Sequence, residues 1–406
     1  MFRSPFLMSL LLAALILTGC AADTPAAQEN TTATAVAEVA REPQARAWLI
    51  GDGARLVAQL DPTAALAELA RPEGAAPITG TTTLISGTSI NEAQAPMPTA
   101  HPIVLPANGS APPTPVPTAA PASVVPAPAS AEAQAAWAKP VSAWMDLGME
   151  AIARAELTPN RAARDLAILS VALNDSYVVL DAARAQNIEV SEEAMLAAAA
   201  RQILNTSHPS DATIWQQAYD VAMWMGAWNH HDSAQAVANG IQLGKIVADA
   251  IQDRVRGDGA TAPQIFDWPE SIIPPGQPTP APPVDRWRPV LPDQPIDPLW
   301  GKVHLIGLSG ADGLTAAAPP NWDAVAFANT RTAFANTQHA LTDEQRQLVR
   351  KWAAASETQT LAGLWFAQAR ALLSGARLDN RATAQVYAAL GVTLHNAFVV
   401  SWADAY

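Results

Sequence analysis

Apolar residues recur at helical spacing through most of the chain beyond residue 131. Leu166, Leu169, Leu173, Tyr177 and Leu180 follow one another at steps of three and four, which places them on one helix face. Thr158-Pro159 stands just before that helix, with proline suited to a first turn. Ser191 followed by Glu192-Glu193 predicts a capped helix start with acids at its positive end. Thr342-Asp343-Glu344-Gln345 has the spacing of a capping box and opens a helix through Val349 and Trp352. Val386, Leu390, Leu394, Phe398 and Trp402 form an unbroken i+4 row that predicts a final helix. No alternating strand pattern of similar length occurs. The expected fold is an all-α helical bundle over residues 131–406.

Proline marks what is not helix. Twelve prolines fall between Pro263 and Pro298, within an irregular excursion from Gly257 to Pro320. A loop of that length inside a domain is either functional or without fixed structure. Trp268, Trp287, Trp300 and Trp322 favour ordered packing, so a strap across the bundle is expected. Eleven further prolines lie between Pro96 and Pro128, in an almost uncharged Ala/Thr/Ser/Pro stretch. That composition reads as a disordered, extended spacer over residues 21–130. A short helix-like piece near 45–70 interrupts it, without an evident role.

The extreme N-terminus has the shape of a secretory signal. Arg3 precedes an apolar run from Leu7 to Leu17, and Leu17-Thr18-Gly19-Cys20 follows. Leu-Thr-Gly-Cys resembles the bacterial lipobox, which implies cleavage after residue 20's predecessor and lipidation of Cys20. The expectation is an extracytoplasmic lipoprotein held to a membrane through Cys20, with no other stretch able to span a bilayer. Cys20 is the only cysteine, so no intrachain disulfide or paired-thiol metal site can form. Net charge is −13, from 24 basic and 37 acidic residues, which argues against nucleic acid as a partner.

Motifs that would carry chemistry fail one by one. His230-His231-Asp232 are adjacent and point about 100° apart on a helix, a poor geometry for one metal. There is no Gly-x-Ser-x-Gly, and Leu308-Ser309-Gly310 lies in the excursion. Gly307, Gly310 and Gly313 are spaced by three and follow no βαβ pattern. Glu192-Glu193 and Asp343-Glu344 sit where capping explains them. No residue earns a catalytic, cofactor or metal role.

One resemblance spans most of residues 136–406. Its pieces are Trp137 and Trp144, Thr158-Pro159-Asn160-Arg161-Ala162-Ala163-Arg164-Asp165, and Leu173-Asn174-Asp175-Ser176-Tyr177. Gly244-Lys245-Ile246-Val247-Ala248, Asp258-Gly259, Arg286-Trp287-Arg288-Pro289 and Pro298-Leu299-Trp300-Gly301 follow. Leu341 to Gln345, Lys351-Trp352, Trp365-Phe366-Ala367 and Asn396-Ala397-Phe398 complete the series. In order and spacing these resemble bacterial vanadium-dependent haloperoxidases, of the type 2 phosphatidic acid phosphatase superfamily.

That resemblance implies an oxyanion site made of a Lys, an Arg-Pro seven residues on, a Pro-Ser-Gly-His segment, and a later Arg and His. Such a charge set is what vanadate or phosphate demands. Aligning Trp402 and Tyr406 with the family's Trp-x-x-Lys-Tyr puts Ala405 where Lys belongs, and the later motifs are not among these residues. Arg288-Pro289 imitates the Arg-Pro, but Ala281 stands seven before it, and Ser374-Gly375 is followed by Ala376. Vanadate, the family's cofactor, therefore has no ligands here.

Two expectations about function result. The chain is a relative of haloperoxidases and acid phosphatases that is inactive alone, completed by a second polypeptide or a missing half. Alternatively it is a non-enzymatic helical binding or scaffold lipoprotein. Bare apolar surface along Val386–Trp402 would favour the first.

Overall fold

The computed structural model describes residues 47–61, 63, 66, 137–225, 232–265, 295–311, 314, 325–353 and 359–405. Cys20, His230-His231, Trp268, Arg286 to Pro289, Gly313 and Trp322 lie outside them. Every regular element among the described residues is helical. They are α1 (Gly53–Val57), α2 (Pro140–Arg154), α3 (Pro159–Ala185), α4 (Glu192–Ser207), α5 (Ala212–Met223) and α6 (Ala234–Val255). Then come α7 (Val325–Ala340), α8 (Asp343–Trp352), α9 (Thr360–Gly375) and α10 (Asn380–Ala405). Single 3-10 turns at Pro209–Asp211 and Trp300–Lys302 complete the set.

The capping signals do what their residue types dictate. Ser191 accepts from the Ala194 amide, and Thr342 and Gln345 close a reciprocal capping box. Thr158 and Pro159 open α3, though the Thr158 hydroxyl serves another partner, described below. α3 is the axis of the bundle. Leu166, Leu169, Leu173, Tyr177 and Leu180 are all buried, and so is most of the rest of its circumference, through Ala163, Ala167, Val171 and Val179. A helix wrapped on all sides has no single apolar stripe.

Around α3, the chain runs in hairpins. α2 packs antiparallel to it, with Gly148 against Leu166 and Leu169. α4 returns on another side, where the Tyr177 hydroxyl donates to Glu192 at 2.8 Å. α5 folds back on α4, and α6 then lies parallel to α4 at very short range. A Cβ on Gly240 would sit 2.5 Å from the Ser191 carbonyl oxygen, and one on Gly244 2.3 Å from that of Met195. α10 runs antiparallel along α3, from the Arg381–Asp181 ion pair at one end to His395 and Asn396 at the other. α9 pairs with α10 through Phe366 stacked on Tyr387, ring centroids 5.8 Å apart.

Two points refine the expectations. The i+4 row of α10 forms the predicted final helix but does not follow one contact line: Leu394 is buried with Ala384, Tyr387, Ala388, Val392 and Val399, whereas Val386, Leu390, Phe398 and Trp402 are half-buried. Four residues turn the helix about 400°, so such a row drifts about 40° per step and spirals off the contact line. Its members are not bare. Large exposed apolar side chains instead occur on α7 and α8, which carry no buried residue, at Val325, Phe334, Leu348 and Val349. Second, Pro159–Ala185 and Asn380–Asp404 are long and apolar enough to cross a membrane by length and composition. Here α3 is enclosed by the other helices, and α10 packs along it.

Candidate functional site

Charged and hydrogen-bonding side chains converge at the end of the bundle where α3 begins, α10 approaches its end, and both arms of the strap return. Arg164, in the second turn of α3, donates from Nε to Asp258 Oδ2 at 2.7 Å. Asp258 also accepts from the Ala260 amide through its carboxylate and from the His304 amide through its carbonyl. It thereby ties both arms of the strap to α3. On the other side of Arg164, Asp165 lies 3.3 Å from Nε2 of His208, which is buried at the end of α4.

One turn nearer the start of α3, Asp297 repeats the arrangement. Its carboxylate accepts from the Thr158 hydroxyl and from Nε and Nη2 of Arg161. The Arg161 guanidinium also stands 5.6 Å over the ring of the fully buried Trp300. Asp297 has φ of +44°, a left-handed conformation that aspartate tolerates better than most residues. The strap's arms are joined by Gln264, whose side-chain oxygen accepts from the Leu299 amide.

α10 holds the strap from its far side. Asn396 donates to the Ile306 carbonyl and accepts from the Ile306 amide, both at 2.9 Å, as a neighbouring strand would. Trp402 Nε1 donates to the Ile296 carbonyl. His395 is buried, with Nε2 3.0 Å from the His304 carbonyl. A bond to a carbonyl requires Nε2 to carry the proton, which leaves Nδ1 bare, and Nδ1 has no protein partner. Burial pushes the His395 pKa down, with Arg164 adding to the shift; the His304 carbonyl and Asp258 act the other way. Asn160, between Thr158 and Arg161, is also fully buried with neither side-chain polar atom partnered.

Chemically, this seam is a set of clamps. Each acid is matched to an arginine, histidine or backbone donor, and each match joins two different elements. Beside it, Asp165 and His208 border a crevice between α2, α3 and α4 with room for about one water. Among the described residues, no three or more His, Cys, Asp or Glu side chains are placed to hold a metal ion.

The residues singled out from sequence are thus distributed. Arg161, Arg164, Asp165, Asp258, Trp300 and Asn396 meet in this seam, while Asn174 and Asp175 lie three turns away on α3. Gly307 has φ of +72° and supports an aromatic ring, that of Trp48, and Gly310 faces open space. Trp352 and Trp365 form a ring pair at 5.3 Å between α8 and α9.

Sequence reasoning missed Asp297, His208, His395 and the role of Asp175. Asp175 carried a readable sign: Asn174-Asp175-Ser176 is a polar triplet in an otherwise apolar helix. Comparison with protein-family models, curated proteins and solved structures finds no match to this chain.

Proposed function

We propose that the protein is an extracytoplasmic lipoprotein, anchored through Cys20, whose helical domain acts as a non-enzymatic scaffold or binding module. The observation that supports this reading most is the use made of the seam's charges. Arg161, Arg164, Asp165, Asp258, Asp297 and His208 are engaged in holding strap to helix and helix to helix. Groups so occupied stabilise an architecture; a polyanionic substrate would have to displace them. The order of motifs keeps the likeness to vanadium-dependent haloperoxidases as a statement about descent of the helical scaffold.

The test is turnover. Purified protein supplied with vanadate, peroxide and bromide should oxidise no bromide, and should release no phosphate from an aryl phosphate. Clear vanadate-dependent turnover would overturn the reading. Replacement Cys20→Ala should shift the protein from the membrane fraction to the soluble one, and unchanged retention would remove the anchor from the proposal.

A second reading, in which another polypeptide completes a haloperoxidase-like or phosphatase-like site, draws on α7 and α8. Val325, Phe334, Leu348 and Val349 leave apolar surface there that a partner would cover. Co-purification of activity with a second chain would favour it.

A further inference from the structure

Residues 47–61 precede a long Ala/Thr/Pro-rich stretch, 62–136, yet they are seated on the bundle. The seat is centred on Asp175 of α3, whose side chain is fully buried. Its carboxylate accepts three consecutive backbone amides, from Trp48 at 3.0 Å, Leu49 at 3.0 Å and Ile50 at 3.3 Å. Asn174 Nδ2 supplies a fourth N–H at 2.9 Å. Beyond these amides, Asp52 caps α1, and Leu56 and Val57 enter the main apolar core. Gly53 presses against α3: a Cβ there would lie 2.9 Å from the Val178 carbonyl oxygen. The Trp48 ring rests on Gly307, and the Asp61 amide donates to Gln242 of α6.

A carboxylate buried in an apolar helix is costly unless donors surround it. Three of the four donors here belong to a segment that reaches α3 only across residues 62–136. The helix therefore carries a buried group whose satisfaction depends on a remote piece of chain. We propose that the Asp175 cleft of α3 is a binding site for an extended peptide, that residues 48–57 of the same chain are its occupant, and that their seating sets how far the bundle stands from its anchor.

The reach follows from chain length. With residues 48–57 seated, only 21–47 separate Cys20 from the bundle, at most about 95 Å at full extension. Unseated, the separating stretch becomes 21–136, about four times longer. Because ligand and site share one chain, the contact is intramolecular and is favoured by an effective concentration that the length of 62–136 sets, so an intrinsically weak contact suffices for occupancy and still opens. Occupancy of the cleft stands on its own; the change of reach rests on the anchored-lipoprotein reading above.

Amide hydrogen exchange on the whole protein in detergent tests occupancy. The amides of Trp48, Leu49 and Ile50 should exchange at least about 100-fold more slowly than in a free peptide of residues 45–60. In Asp175→Ala, and in Gly53→Val, which alters the seated segment and no residue of 137–405, they should approach the peptide rate. Amides in α4 and α6 should keep their protection in Gly53→Val. Peptide-like rates in the unaltered protein, or slow rates unchanged by Gly53→Val, would overturn the proposal. For the reach, energy transfer from a dye at Arg254→Cys to a labelled vesicle should fall when Gly53→Val is added. Equal transfer with and without Gly53→Val would refute the change of reach. If the Cys20→Ala protein stays on membranes while exchange behaves as expected, the anchor is wrong and the cleft remains.

Discussion

His395 shows how a single buried side chain gives the fold a pH dependence. Its Nε2 proton is committed to the His304 carbonyl, so further protonation places an N–H at Nδ1, where no acceptor stands and Arg164 contributes positive charge. The folded-state pKa is accordingly depressed below the ordinary 6.5 of the unfolded chain. Between those values the unfolded state binds more protons, so this group's contribution is complete above pH 6.5 and is lost as pH falls through the folded value. The urea midpoint should drop between pH 7.5 and pH 5.5, and should drop less in His395→Gln, which keeps a donor for His304. An equal drop in both would remove His395 as the source. Asp175 is the counterpart among acids: burial raises its pKa, and the amides of Leu49, Trp48 and Ile50, with Asn174, pull it back.

Helices meet in this protein through missing side chains as much as through interlocking ones. The α4–α6 pair depends on Gly240 and Gly244, one turn apart, which let two parallel helices approach until backbone faces backbone. Gly244→Ala should lower stability by about 1–3 kcal/mol, because the added Cβ meets the Met195 carbonyl oxygen, the Ala198 Cβ and the Ala199 amide nitrogen, none of which can step aside. Gly375→Ala, which meets nothing within 4 Å, should be neutral or stabilising by about 0.4–1 kcal/mol through the unfolded chain. Denaturant titration of the two variants distinguishes them, and a neutral Gly244→Ala would mean that the helices are farther apart than described. At this scale much was readable in the sequence. Ser191 and Thr342 announce their caps, and Leu166 to Leu180 their buried face, because caps and periodicity are local. The row of α10 announced its helix, but spacing alone does not say where on that helix a neighbour lies. The glycine contacts between α4 and α6 were illegible, since they are properties of two helices together.

For the whole molecule, the decisive connections are the ones of greatest separation along the chain. Asp258 and Asp297 lie in what reads as a loop, and only the assembled bundle reveals that Arg161 and Arg164 are waiting for them on α3. The seat of residues 48–57 was equally hidden, because Asp175 and its amides are joined by nothing in the local sequence. Of the tryptophans in the 257–320 excursion, Trp300 lies among the described residues and is fully buried beside Ala260, Val303 and Val399. The clamp between Asn396 and Ile306 has a mechanical consequence. Ile306 is held at both its amide and its carbonyl, and the next residue, Gly307, lies under the Trp48 ring. A pull exerted on the chain at residue 47 is then shared between α3, through Asp175, and α10, through Gly307 and Asn396. The load enters across α3 and α10, the longest described helices, which lie side by side.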